Sequence, residues 1–343
     1  MAGAGLARKE DGVDFLQRLD PELAAVLETL PAEGLFNWPD LPATRAGLDQ
    51  MFATMSADVP DSPHVLKQDR AAPGPDGAPD VPVRVYRPTH ATGQLPGLFW
   101  IHGGGMVLGS LAMDDHNIQH IVDEVGCVAV SVEYRLAPEH PFPAPVEDCY
   151  AALKWTQAQA SELGIDPRRI AVGGASAGGG LAAGLVLLAR DRGEVPVAFQ
   201  WLIYPMLDDR NITPASHAIT DVRVWNREAN LFGWAAYLGR EPGSEGVSPY
   251  AAPARATDLS NLPPAYIPVG SQDLFLDESA DYAMRLARAG VPVEFHVYPG
   301  AFHGSELFAP AAAVSQRMIA DRDQALKRAL HPEVVHPAAA LAV

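Results

Sequence analysis

The sequence predicts an α/β fold, a mostly parallel sheet with helices on both faces. Three observations carry that expectation. Short runs such as CVAVSVEY (127–134) and PAYIPVG (264–270) are almost continuously apolar, which suits strands buried on both faces. Helical stretches alternate with these runs, and alternation repeated this often requires a layered α/β architecture. One strand, RIAVGGA (169–175), passes directly into a helix through a tight, glycine-flanked turn.

Taken in order, the first sixty residues read as helical. Phe15, Leu19, Leu23, Val26, Leu27 and Leu30 recur on one face, and Leu48, Met51, Phe52 and Met55 do so again. A proline-marked break, VPDSPH (59–64), follows, and the texture then changes to strands and helices. VPVRVYRP (81–88) alternates with period two after an Asp76-Gly77 turn signal, so one of its faces is wet. The remaining strands are LPGLFWIH (95–102), CVAVSVEY, RIAVGGA, VPVAFQWLIYP (195–205), PAYIPVG and VPVEFHVYP (291–299). Helical stretches at 145–164, 181–193 and 277–290 each end at or next to a glycine, the usual C-terminal stop. Residues 208 to about 248 interrupt the rhythm with Trp225, Leu231, Phe232, Trp234 and Tyr237, and read as an insertion with helices of its own.

Composition excludes several classes. A chain of 343 residues, 48% of them hydrophobic, can bury a large core, and its formal charge of −17 disfavours nucleic acid or an anionic membrane surface as a partner. Cys127 and Cys149 are the only two cysteines, too few for a disulfide scaffold, and read as reduced, buried thiols. No apolar run has the length of a membrane span and the N-terminus lacks a signal-peptide core, so the expectation is a soluble cytoplasmic protein. On that reading the Asn211-Ile-Thr213 sequon goes unused.

The chemistry concentrates in Gly174-Ala-Ser176-Ala-Gly178, a G-x-S-x-G motif in its required strand–turn–helix setting. A turn this sharp strains the central serine and tolerates only small residues two positions either side. The serine hydroxyl then stands above the sheet edge, next to the positive end of a helix. A serine attacking an acyl carbon generates an oxyanion, and preorganised backbone amides stabilise it best where glycine lets the chain approach closely. His102-Gly103-Gly104-Gly105 follows the strand two before that of the serine, and Ala177 adds the amide just after the nucleophile. In α/β-hydrolases, where a G-x-S-x-G turn of this kind is found, the chain order is serine, acid, histidine; on that pattern the search for base and orienting acid is restricted to positions after 176. His303 follows the strand VPVEFHVYP, and Asp273 and Asp277 follow PAYIPVG. Asp273 comes first after its strand, whereas Asp277 resembles a helix N-cap, so Asp273 is favoured. His296 lies inside a strand run and reads as structural. His116 and His120, beside Asp114 and Asp115, imitate a metal site but lack further ligands, and a solvated helix face is preferred. No metal or organic cofactor is expected.

With HGGG, GASAGG, QDLFLDE, FHG and above all YRLAPEHPFPAPVED (134–148) in place, the chain resembles the hormone-sensitive-lipase-like (bacterial family IV) serine esterases over nearly its whole length. The resemblance implies an α/β-hydrolase fold with an eight-stranded sheet. It also implies a helical cap formed by residues 1–60 with the insertion near 208–248, a catalytic domain over 61–331 and a tail at 332–343. It places the nucleophile at Ser176, the acid at Asp273 and the base at His303. The oxyanion donors fall at Gly104, Gly105 and Ala177, with Gly103 supporting the turn. Ala175, Met106 and Ser305 depart from the residues common at their positions, and the last two are expected to reshape the pocket. Phe36, Trp38, Met106, Trp225 and Phe232 are the candidate acyl wall. The implied activity is hydrolysis of short- to medium-chain carboxylic esters, small molecules, through an acyl-enzyme. An amidase or arylformamidase with the same triad is the near alternative, and a non-catalytic small-molecule-binding protein on the same fold the distant one. The resemblance further implies homodimers through the last strand and its neighbouring helix.

Overall fold

The computed structural model describes residues 15–332. The expected tail from 333 onward and the first 14 residues of the expected N-terminal cap segment lie outside the described residues. Eight strands form one sheet: β1 (Val65–Ala72), β2 (Val81–Pro88), β3 (Leu95–Ile101), β4 (Val128–Val132), β5 (Ile165–Ala175), β6 (Phe199–Ile203), β7 (Ala265–Gln272) and β8 (Val293–Phe302). Their order is β1-β2-β4-β3-β5-β6-β7-β8, with β1 and β2 antiparallel to their neighbours and the rest parallel. The strands β4 and β6 are buried at every position, in line with their mostly apolar composition; the polar exceptions are Ser131 and Gln200, and the Gln200 side-chain amide donates to the Pro263 carbonyl at 2.8 Å. β2 alternates, with Val81, Val83 and Val85 buried and Pro82 exposed.

β1 has no counterpart among the strands read from the sequence. Its six central residues, LKQDRA, all face solvent, so this edge strand carries no apolar period to detect. Lys67, Asp69 and Arg70 instead leave the edge charged, which discourages pairing with another chain.

Helices cover both faces. The helix Ala177–Arg192 leaves the end of β5 and is buried almost throughout. The helices Ala144–Ala158 and Ala160–Leu163 pack on the same side, ending at Gly164 in the left-handed conformation with φ 71°. The helices Asp115–Val125 and Ala313–Leu330 enclose the second apolar layer, where Trp100 and Trp201 lie with ring centroids 5.5 Å apart.

The N-terminal segment divides into two parts. Helices Phe15–Arg18 and Pro21–Leu27 pack beside the end of β8, with the Asp20 amide donating to the Gly300 carbonyl at 3.1 Å. The helix Leu41–Ser56 instead sits against the glycine-rich loop after β3. Its Arg45 donates to the carbonyls of Val107 (2.8 Å) and Ala137 (2.9 Å) and pairs with Glu139. The insertion after β6 contributes helices Pro214–Ala218 and Arg227–Leu238. Among the described residues no helix is long and apolar enough to cross a membrane. Both cysteines are buried and unpaired, and Asn211 of the sequon is only 1% exposed.

Candidate active site

The turn after β5 explains its own spacing. Ser176 holds φ 58° and ψ −122°, a strained backbone for a residue with a side chain. A Cβ on Gly174 would lie 2.3 Å from the Gly178 carbonyl oxygen, and one on Gly178 would lie 2.0 Å from that of Ile101. Neither backbone atom can yield, so the two flanking glycines are steric necessities. The Ser176 amide donates to Ile203 on the neighbouring strand at 2.9 Å, and its carbonyl accepts from Gly180 and Met206. The bend is thus tied to β6 and to the first turn of its helix.

From this bend the Ser176 Oγ lies 2.9 Å from Nε2 of His303, and Nδ1 of the same ring lies 2.8 Å from Oδ2 of Asp273. The second oxygen of Asp273 accepts the Phe275 amide at 2.9 Å, which fixes the carboxylate in its loop. A carboxylate facing Nδ1 favours the proton there and leaves Nε2 as an acceptor for the serine hydroxyl. Phe275 and Tyr204 meet the imidazole edge-on, with centroids at 5.0 and 4.7 Å. Asp277 does not cap its own helix, Leu276–Arg288, whose N-cap is Phe275; its carboxylate accepts the Ala215 amide of the insertion at 2.7 Å.

The HGGG loop crosses directly over the serine. A Cβ on Gly103 would stand 3.4 Å from that of Ser176, and Gly104 adopts φ 111°, a region that only glycine occupies freely. Among the described residues the amides of Gly104, Gly105 and Ala177 have no protein acceptor. His102 is fully buried, stacks on Tyr134 at 4.3 Å and directs Nδ1 at the Gly103 carbonyl. Burial lowers its pKa to about 4, so the ring is neutral and donates from Nδ1. The YRLAPE…PFPA…D block acquires a reason here. Asp148, 1% exposed, accepts from the Arg135 amide and from Nε and Nη2 along one edge of its guanidinium, and this clamps the segment beneath the loop.

A cavity of about 130 Å³ opens at Ser176 and His303. Of the five candidate wall residues, Phe36 and Trp225 line it, whereas Trp38, Phe232 and Met106 do not. Trp38 stacks behind Phe36 (5.0 Å) and on Phe232 (4.5 Å), supporting the wall from outside. Met106, in the core at φ 61°, and Ser305 are both fully buried, and neither is among the residues lining the cavity. Leu35, Leu48, Met51 and Phe52 form wall that the candidate list lacked. The helical period of Leu48, Met51 and Phe52 was legible, but not which layer that face would cover.

The stretch 114–120 is solvated only in part: His120 is exposed and His116 half-buried, while the two aspartates turn to protein partners. Asp114 is 5% exposed and accepts from Trp100 Nε1 at 2.7 Å. Asp115 accepts from Lys67, Arg84 and Tyr86, and His120 bonds Asp323 at 2.8 Å. His296 in β8 contacts Glu294 at 2.9 Å, in keeping with its structural reading.

A strained serine at a strand–helix turn, with histidine and carboxylate in series on loops at the C-terminal ends of β7 and β8, defines the α/β-hydrolase class. The family model described as alpha/beta hydrolase fold matches residues 98–307, and the chain belongs to this family. Within it, the chain sits among serine-hydrolase carboxylesterases. It is 40% identical over 321 residues to Carboxylesterase NlhH of Mycobacterium tuberculosis, covering 91% of this chain and 97% of the relative. Among solved structures, Bacterial Heroin Esterase superposes with a TM-score of 0.88 at 48% identity, covering 92% of this chain and 99% of that one. A hyperthermophilic esterase from the archaeon Pyrobaculum calidifontis gives 0.83 at 35% identity, covering 90% and 98%.

Proposed function

We propose that the chain hydrolyses carboxylic esters of short- to medium-chain acids through an acyl-enzyme, with Ser176 as nucleophile, His303 as general base and then acid, and Asp273 as the orienting carboxylate. The observation that carries this reading is the pair of contacts on one imidazole, 2.9 Å to Ser176 Oγ and 2.8 Å to Asp273 Oδ2. His303 takes the hydroxyl proton as Oγ attacks the carbonyl, then passes it to the leaving alcohol; a water activated by the same ring releases the acid. The amides of Gly104, Gly105 and Ala177 receive the oxyanion, and Gly103 lets the loop pass close to the serine. The cap consists of residues 35–56 and the insertion near 208–248, set on a catalytic domain that takes up the rest of the described chain. The chain-length expectation rests on space: about 130 Å³ is close to the roughly 150 Å³ that holds a benzene ring in an engineered core cavity. Each buried CH2 adds ~0.8 kcal/mol until that space is filled.

The test is a panel of p-nitrophenyl esters from acetate to palmitate, with matched anilides. Activity peaking among the shorter esters, far above the anilides and lost in Ser176→Ala, supports the reading. Persistence in Ser176→Ala removes the nucleophile assignment, and faster anilide turnover favours an amidase.

A further inference from the structure

The cavity that reaches Ser176 is not apolar throughout. Trp100, Asp114, Asn117, Tyr204, Glu306 and Arg322 also line it. Asp114 occupies the N-cap position of the helix Asp115–Val125, where a carboxylate ordinarily accepts the helix's own amides. Its side chain accepts none of them. It turns inward instead, accepts Trp100 Nε1 at 2.7 Å through Oδ2, and leaves Oδ1 without a protein donor among the described residues. The residue is 95% buried, yet this second oxygen is not sealed in protein: it opens onto the cavity, where a donor on a bound molecule can reach it.

The surrounding charges do not complete it. Two guanidinium groups line the cavity: Arg223 is paired with Asp221 at 2.6 Å, and Arg322 is already engaged by Asn117 Oδ1 at 2.5 Å, by Asp323 at 3.4 Å and, at 3.7 Å, by Glu306. Glu306 in turn accepts from the Tyr204 hydroxyl at 2.6 Å, and its other oxygen is buried without a partner. Asp323 is shared with His120. Three carboxylates (Asp114, Glu306, Asp323) therefore face one guanidinium and one partly exposed imidazole, a local excess of negative charge.

Resting on the esterase reading above, we propose that this end of the cavity is a subsite for a cationic ammonium group carried by the substrate away from its scissile carbonyl, with Asp114 as the specificity-determining residue. The free Asp114 oxygen supplies the contact, and the unbalanced carboxylates supply a field that favours a cation over a neutral group of equal size and rejects an anion. The subsite is switchable. Burial raises the Asp114 carboxyl to about 6, Glu306 adding to the rise while Trp100 and Arg322 oppose it, so the carboxylate is charged at neutral pH and lost in mild acid.

The experiment compares matched esters that differ only in charge. Ethyl esters of ω-amino acids are set against n-alkanoate ethyl esters of equal heavy-atom count, and acetylcholine against 3,3-dimethylbutyl acetate. Each rate, followed by pH-stat, is normalised to hydroxide hydrolysis. Using the ratio of kcat/KM within a pair cancels whatever pH dependence the two esters share. In at least one series the cationic member is expected to lead at pH 7.5, with a ratio that falls about tenfold in Asp114→Asn. The wild-type ratio should decline toward that of the variant below about pH 6. Asn keeps an acceptor for Trp100; should the variant melt early by circular dichroism, the wild-type pH dependence decides alone. Ratios in both series that ignore pH and the Asp114 substitution overturn the subsite. Turnover of p-nitrophenyl butyrate by the same preparation shows that the esterase reading has survived; its absence overturns that reading instead.

Discussion

Gly105 provides the sharpest test of the proposed oxyanion hole. Its φ of 61° does not by itself demand glycine, since Met106 holds the same value next to it. An alanine pays about 1 kcal/mol for a left-handed backbone. The obstacle is Trp225: a Cβ at 105 would lie 2.1 Å from Cη2 and 2.6 Å from Cζ2 of that ring. The ring cannot swing away. Its Nε1 donates to Asn230 at 3.2 Å, and Phe36 and Trp38 meet it edge-on at 5.6 and 6.0 Å. Gly233 closes the other side, where even its own added Cβ would sit 2.9 Å from the Gly105 carbonyl oxygen. Gly105→Ala must therefore push the amide of residue 105 off its line. Losing one oxyanion donor costs roughly 3 kcal/mol of barrier, about 10²–10³ in kcat, with KM little changed because the ground-state carbonyl uses the donor weakly. Steady-state kinetics on p-nitrophenyl butyrate, with a melting curve to certify folding, measures this. Gly105→Ala/Trp225→Leu should regain about tenfold over the single variant, because the shorter side chain withdraws from the added methyl. A kcat for Gly105→Ala within about threefold of wild type, or a double variant no faster than the single one, refutes the steric argument.

Asp273→Asn keeps the shape of the loop but no longer holds the His303 proton on Nδ1; kcat on the same ester should fall ~10⁴-fold at neutral pH, and a loss under about tenfold would remove Asp273 from its role. Stability in acid should show two opposed groups. His102, lowered to about 4 from 6.5, binds its proton only in unfolded chains between those values, so stability drops as pH falls through that window, by ~3 kcal/mol for this group. Asp114, raised to about 6 from 3.8, takes its proton first in the folded protein, so stability recovers by ~3 kcal/mol as pH falls from 6 toward 3.8. Asp114→Asn removes the recovery, and its melting temperature should fall more steeply than that of wild type between pH 6.5 and 4; parallel curves would contradict the assignment.

What the sequence determined alone was whatever depends on neighbours along the chain. Apolar patterning marked seven of the eight strands, six as nearly continuous runs and β2 by its alternation, because a face turned to the core favours apolar side chains; β8, read as buried on both faces, is half-exposed along its first half. The glycines at 174 and 178 were legible because their clash is with backbone a few residues or one strand away. Once the hydrolase chain order restricted the search to positions after Ser176, Asp273 and His303 were legible as candidates because each follows a strand end, and loops at those ends meet over the sheet. β1 was illegible because its side chains face water and any polar sequence satisfies them. What only the tertiary structure decided is which of two faces each side chain presents. Met106 and Phe232 read as wall but pack elsewhere, and Trp225 proves to brace Gly105 as well as line the cavity. Asp114, on a stretch that looked solvated, turns inward to Trp100. Such choices arise from contacts between separate elements, from 14 residues apart for Trp100 and Asp114 to 205 for Asn117 and Arg322, and no local pattern encodes them.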